Sequence, residues 1–243
     1  MSTTNDYPSS SGPDYWHQSR RLSTGILLIL PLAAAYQLGI VQGGSPVRNL
    51  AELWMSRFIS TVGVPAAHVV NGLLIGGCVM AVVKLRREGP LVWWFLLVMV
   101  LESFVYAAAM LRGLGAAASA ARDGLAPLLY IGGGGWRSML VAVGAGVYEE
   151  LLFRLLLLGG GAALLHHLFR WKRGLCLGLT LIVSSALFSL AHYLGALGEA
   201  PRLYTFLYRG MAGLVLGTVY IFRGVGIAAC THSTFNLLAL LAR

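Results

Sequence analysis

The stretch VAVGAGVYEELLFRLLLLGGG, residues 141–161, is apolar for almost its whole length, yet it carries Glu149, Glu150 and Arg154. It is long enough to cross a bilayer, which takes about 20 apolar residues as a helix. A charged group at the centre of such a helix costs about 2.5–3.5 kcal/mol on translocon scales. Three of them in one segment therefore mark a functional or strongly paired site inside a membrane helix. The helical period puts Glu150 and Arg154, four apart, on one face, and turns Glu149 about 100° away. One carboxylate can then be neutralised by arginine while the other faces a cavity. A carboxylate in a dry site beside a second one suits a general base. The competing reading is a buried ion pair that locks helices, which accounts for Glu150 and Arg154 but leaves Glu149 unexplained.

Outward from this stretch, the rest of the chain has the same character. Of 243 residues, 57% are hydrophobic and 11% charged, and the mean hydropathy is +0.74. Apolar runs of bilayer length fall at 22–41, 65–84, 91–111, 138–167, 174–195, 203–222 and 225–242, and an eighth is compatible with 113–131. The expected fold is all-α, a polytopic transmembrane bundle of seven or eight helices around a polar intramembrane cavity. Lipid enforces helices because it leaves no water to satisfy an open sheet edge, and the runs are continuous where a β-barrel would alternate. The stretch GLGAAASAARDGLAPLLYIGGGGW (113–136) is broken by glycine and reads as an interfacial helix or a mobile segment. The organisation expected is a polar tail over 1–21, N-terminal membrane helices over 22–136 and a catalytic core over 137–243.

The net charge of +9 argues for nucleic acid only in a soluble domain. Here arginines cluster at span ends: Arg20 and Arg21, then Lys84 with Arg86 and Arg87, then Arg170 with Lys172 and Arg173. All three clusters fall on one side if the N-terminus is cytoplasmic. No basic face with interleaved aromatics supports nucleic-acid binding. Cys78, Cys176 and Cys230 lie in apolar segments without paired spacing and read as small buried hydrophobes. The N-terminal tail is expected to lack a cleavable signal and to reach the interface through Tyr15 and Trp16. There is no internal repeat of the kind that builds many transporters.

Two later segments carry further polar groups at helical spacing. In Phe188-Ser-Leu-Ala-His192, the ring and the imidazole share a face; a lone membrane histidine is more often a hydrogen-bonded packing residue than a base or ligand. In His232-Ser-Thr-Phe-Asn236, an imidazole N–H and an amide NH₂ share a face, and these are donors an oxyanion site uses. Interhelical hydrogen bonding alone would also explain them. If 138–167 and 174–195 form a hairpin turning near Trp171, Glu149 and His192 sit at similar depth, whereas His232 fits only if the hairpin extends beyond the membrane surface. Glu102 is a packing partner or a cavity residue. Arg209 meets Glu102 or snorkels to the surface. Met211, Gly213 and Gly217 read as a small-residue packing pattern, and His166 and His167 as interfacial.

The elements EELLFR, FSLAH and HSTFN, in this order, resemble the EExxxR, FxxxH and HxxxN/D motifs of the CPBP family of intramembrane proteases, the CAAX proteases and bacteriocin-processing enzymes. The resemblance covers about residues 137–242, and the first 136 residues match no motif. It implies a bundle of about eight membrane helices around a polar cavity. Glu149 would be the catalytic glutamate, activating water together with His192. His232 and Asn236 would hold the oxyanion, and Glu150, Arg154 and Phe188 would support the site. It also implies a glutamic-type mechanism without a metal cofactor, although two histidines and a glutamate are also a donor set for Zn²⁺. The expected activity is an intramembrane endopeptidase acting on a membrane-embedded or membrane-anchored protein or peptide, in a bacterial cytoplasmic membrane. Two other classes compete. One is a non-proteolytic scaffold or immunity protein of the same fold; the other is an ion-coupled carrier using the carboxylates and histidines as a relay.

Overall fold

The computed structural model describes residues 14–43, 91–120, 136–194 and 198–241, with a few isolated positions between 76 and 87. Every element among them is helical: α1 (Tyr15–Ser19), α2 (Leu22–Gly43), α3 (Trp94–Ala120), α4 (Trp136–Glu149), a π-helical segment (Glu150–Gly160), α5 (Gly161–Phe169), α6 (Arg173–Ala191), α7 (Leu203–Arg223) and α8 (Val225–Leu241). Four spans among these residues are long and apolar enough to cross a membrane: Trp94–Ala116, Ser138–Phe169, Arg173–Ala191 and Leu203–Arg223. Leu22–Leu38 and Val225–Leu241 are shorter apolar helices. Each apolar run expected from the sequence coincides with a helix, apart from 65–84, which lies almost wholly outside the described residues. The stretch 113–131 continues α3 as far as Ala120, and its remainder is outside them too, as is Cys78. Cys176 and Cys230 are buried free thiols.

The bundle has the polarity of a membrane protein. Leu97, Leu101, Phe104 and Val105 of α3 are exposed, as are Ile182, Val183 and Leu187 of α6 and Leu207, Met211 and Val215 of α7. Buried between the helices are Ser184, Ser185, Ser189, Thr231, Glu150 and Arg154. Apolar side chains facing lipid and polar ones facing the interior is the arrangement expected where hydrocarbon is the solvent. Helix α8 packs against α2, α3, α4 and α7, and most of its residues from Val225 to Ser233 are buried. Its apolar character on all sides follows from that central position.

Close approaches at glycine set the packing. A Cβ on Gly146 would fall 2.4 Å from the backbone nitrogen of Ser233, so only glycine lets α4 lie so near α8. A Cβ on Gly226 would fall 2.5 Å from the Cα of Gly25, joining the first turns of α8 and α2 in the same way. In α7, Gly213 faces Ser185 and Gly217 faces Leu181 of α6. The small-residue pattern expected in α7 is thus at a helix contact, but Met211 is not part of it: it is 41% exposed and points outward.

The ends of the helices sort by charge. Gly224, between α7 and α8, lies against the backbone of Arg20, and Gly159 lies against Tyr220. Arg20, Arg21, Arg223 and the turn containing Arg170, Lys172 and Arg173 are therefore at one end of the bundle. There the short helix α1 is tied down: Arg223 Nε donates to Glu102 Oε1 at 2.5 Å and its Nη2 to Ser19 Oγ at 3.0 Å, while its guanidinium stacks on Trp16, 3.9 Å from the ring centre. The Tyr15 hydroxyl donates to Glu102. Burial and the Glu102 carboxylate beside it push that hydroxyl above the ordinary phenol range. The expectation that Arg209 meets Glu102 is therefore corrected. Glu102 stands at the basic end, whereas Arg209 stands near the start of α7 at the other, where its Nη2 donates to Glu199 Oε1 at 2.7 Å.

Candidate active site

The site begins where α4 passes into the π segment. Hydrogen bonding from i to i+5 widens the turns over Glu150–Gly160. The change occurs between the two glutamates: Glu149 is the last α-helical residue and Glu150 the first π-helical one. Arg154 remains on the face of Glu150, with Nη1 at 3.1 Å from Glu150 Oε1. Its Nη2 donates to the Gly213 carbonyl at 3.2 Å. Its guanidinium also covers the Phe188 ring at 4.5 Å, a cation–π contact strengthened by the absence of water. Glu150 and Arg154 are 0% and 1% exposed. A lone charge buried so deeply would be far costlier than the pair, so the arginine lets an ionised carboxylate sit here.

Helix α8 supplies the next member. His232 Nδ1 is 2.8 Å from Glu150 Oε1 and its Nε2 is 3.7 Å from Glu149 Oε2. Since an ionised carboxylate only accepts, Nδ1 carries the proton donated to Glu150; Nε2 is then an acceptor in the neutral ring and a donor only in the imidazolium. The neighbouring turn is held by Ser233 Oγ, which donates to the Val143 carbonyl at 2.9 Å, and Asn236 Nδ2 donates to the Ala142 carbonyl at 3.2 Å. One N–H of the Asn236 amide is thereby used, and the amide has a second.

Phe188 joins the two histidines. Its ring lies 5.1 Å from that of His192, 5.9 Å from that of His232 and 5.4 Å from Phe153, each edge-on. His192 caps α6, with Nδ1 at 2.9 Å from the Phe188 carbonyl. A carbonyl cannot donate, so Nδ1 is the protonated nitrogen and a neutral His192 presents its Nε2 lone pair elsewhere. The structure thus brings Glu149, Glu150, Arg154, Phe188 and His232 into direct contact. It joins His192 to them through Phe188, and ties Asn236 to α4 one turn beyond His232. The span Ser138–Phe169 is 32 residues long, about 48 Å at α-helical rise against a hydrocarbon core of about 30 Å, long enough for the hairpin to extend past a membrane surface.

Beyond these residues lies an ion pair of Arg209 with Glu199, a partner that sequence reasoning passed over. Arg209 is 6% exposed and is one turn from Gly213, whose carbonyl Arg154 holds. Glu199, in the loop after α6, has no periodic pattern around it that would have marked it as a partner. His166 and His167 are exposed on α5, as expected, with His166 Nδ1 at 2.7 Å from the Trp171 carbonyl. Among the described residues, no group of three His, Cys, Asp or Glu side chains is arranged to hold a metal ion.

Residues 131–238 match the family described as Type II CAAX prenyl endopeptidase Rce1-like, and all three polar elements fall inside the match. No curated protein and no solved structure matched the chain.

Proposed function

We propose that this protein, whose residues 131–238 belong to the Rce1-like CAAX protease family, is an intramembrane endopeptidase that uses Glu149 to activate water. The observation that carries the reading is the division of labour between the glutamates. Arg154 lies against Glu150, while Glu149 Oε2 faces His232 Nε2 at 3.7 Å in a site only a few per cent exposed. A carboxylate that the buried arginine leaves to its neighbour, in a dry pocket, is a competent base. In this reading Glu149 takes a proton from water as oxygen attacks the scissile carbonyl, and His192, through Nε2, orients that water. The developing oxyanion is met by the second N–H of Asn236 and by His232 as an imidazolium, which keeps its Nδ1–H on Glu150 and donates Nε2–H to the oxyanion. Glu149 then passes the proton to the leaving amine. Glu150, Arg154 and Phe188 fix the His232 ring by hydrogen bond and contact. The bundle would comprise seven or eight spans around a polar cavity, in a bacterial cytoplasmic membrane, acting on a membrane-anchored or membrane-embedded peptide.

The reading needs no metal. The test is cleavage of quenched membrane peptides by the purified protein in liposomes, with wild type, Glu149→Gln and His192→Ala compared, each with and without a chelator. Cleavage that resists the chelator and is lost in both variants is the expected result. Loss on chelation with recovery on adding Zn²⁺ would replace the water mechanism by a metal one. A Glu149→Gln protein with full cellular function would favour a scaffold.

A further inference from the structure

Arg209 is a buried cation whose pairing is incomplete. Its Nη2 donates to Glu199 Oε1 at 2.7 Å, but its Nη1 is buried with no hydrogen-bond partner among the described residues. A guanidinium is built for two parallel bonds to one carboxylate, and here a single oxygen is engaged. The partner is also loosely held: the Glu199 side chain is 38% exposed, against 8% for Arg209.

Its position is next to the proposed chemistry. Arg209 lies one turn from Gly213, and α7 is pinned to α6 there by Ser189 Oγ, which donates to the Phe206 carbonyl at 2.7 Å. Its guanidinium lies 5.8 Å from the ring of Tyr193, the residue after His192. Glu199 N donates to the His192 carbonyl at 3.0 Å. An incompletely paired guanidinium beside a peptide-cleaving centre, covered by a displaceable carboxylate, is a receptor for a carboxylate.

On the peptidase reading of the neighbouring site, which this step requires, we propose that Arg209 binds the free C-terminal carboxylate of the substrate, with Glu199 holding its place until substrate arrives. Binding then exchanges one carboxylate for another: the substrate's two oxygens take Nη1 and Nη2, and Glu199 swings into water. Cleavage is directed to a bond near the end of the chain, and internal segments of long polypeptides are poor substrates.

The test uses paired membrane peptides of one sequence, ending in a free carboxylate or in an amide, cleaved by the full-length protein in liposomes. Wild type should cleave the acid with a kcat/KM roughly tenfold or more above the amide, the difference lying in KM; return of Glu199 to Arg209 on the amide keeps the ratio below that of an orphaned charge pair. In Arg209→Gln the ratio should fall to about one. Glu199→Gln, which removes the competitor and leaves the arginine, should lower KM for the acid. A wild-type ratio near one, or a ratio unchanged in Arg209→Gln, overturns the proposal and leaves a strut between loop and helix, with the peptidase reading intact. If Arg209→Gln fails to fold, Glu199→Gln decides alone: an unchanged KM for the acid overturns the proposal. Absence of cleavage of both peptides by wild type, alongside a labelled control peptide also left whole, overturns the peptidase reading first and the carboxylate site with it.

Discussion

At the scale of residues, Glu149 and Glu150 are chemically identical neighbours in different surroundings. Glu150 has Arg154 and His232 Nδ1 on one oxygen, at 3.1 and 2.8 Å, while Glu149 has His232 Nε2 at 3.7 Å. Their substitutions should therefore separate activity from stability. Glu149→Gln should keep the midpoint of thermal unfolding in detergent close to wild type and lower cleavage roughly 10²–10⁴-fold, the range for a lost general base. Arg154→Met should do the reverse first. It strands the Glu150 charge and removes the cover over Phe188, a loss of about 3–5 kcal/mol by analogy with buried pairs cut on one side. Equal midpoints for Arg154→Met and wild type would show that Glu150 is not held as a charge. Much of this pairing was legible in the sequence, because i and i+4 on a helix share a face whatever the fold. The partners of Arg209 and Glu102 were not. Glu199 and Arg223 are joined to them across loops and helices, and local periodicity carries no information about such contacts.

At the scale of elements, the candidate site depends on how closely α4 and α8 approach, and glycine decides that. Gly146→Ala should be severely disruptive, since its Cβ would meet backbone, 2.4 Å from Ser233 N and 2.7 Å from Ser233 Cα, with nothing flexible to yield. Moving α8 away would take His232 from both glutamates, so folded yield and cleavage should fall together. Gly217→Ala should be milder, because its Cβ meets Leu181 Cδ1, the tip of a mobile side chain, at 2.4 Å. Gly113→Ala, with nothing within 4 Å, should be neutral or slightly stabilising, in line with the higher helix propensity of alanine. The three variants, ranked by thermal midpoint and by cleavage, should fall in that order; Gly146→Ala behaving like Gly113→Ala would mean the helices are not so closely packed. The apolar runs made the helices themselves readable. The π winding over Glu150–Gly160 was not readable, since ELLFRLLLLGG has the composition of an ordinary membrane helix; the segment packs against α6, α7 and α8.

At the scale of the whole molecule, charge and site lie at different ends. Arg20, Arg21, Arg170, Lys172, Arg173 and Arg223 gather at one end, whereas His192, Glu199 and Arg209 lie toward the other, since α6 leaves the basic end at Arg173 and reaches His192 after 19 residues of helix. Arginine and lysine near span ends are retained on the cytoplasmic side. The basic end should therefore face the cytoplasm, and the mouth beside His192 should open toward the opposite leaflet. Single cysteines report this directly. Trp171→Cys, at an exposed turn residue, and Ala200→Cys, in the exposed loop before α7, would each be introduced after replacing the native cysteines by alanine. In intact cells a membrane-impermeant maleimide should label Ala200→Cys, and label Trp171→Cys only after the membrane is opened. The reverse pattern would turn the molecule over and expose the site to cytoplasmic chain ends. Labelling of both in intact cells would mean that the two turns are not on opposite faces, and would remove the antiparallel α6 and α7 pairing that carries both His192 and Arg209.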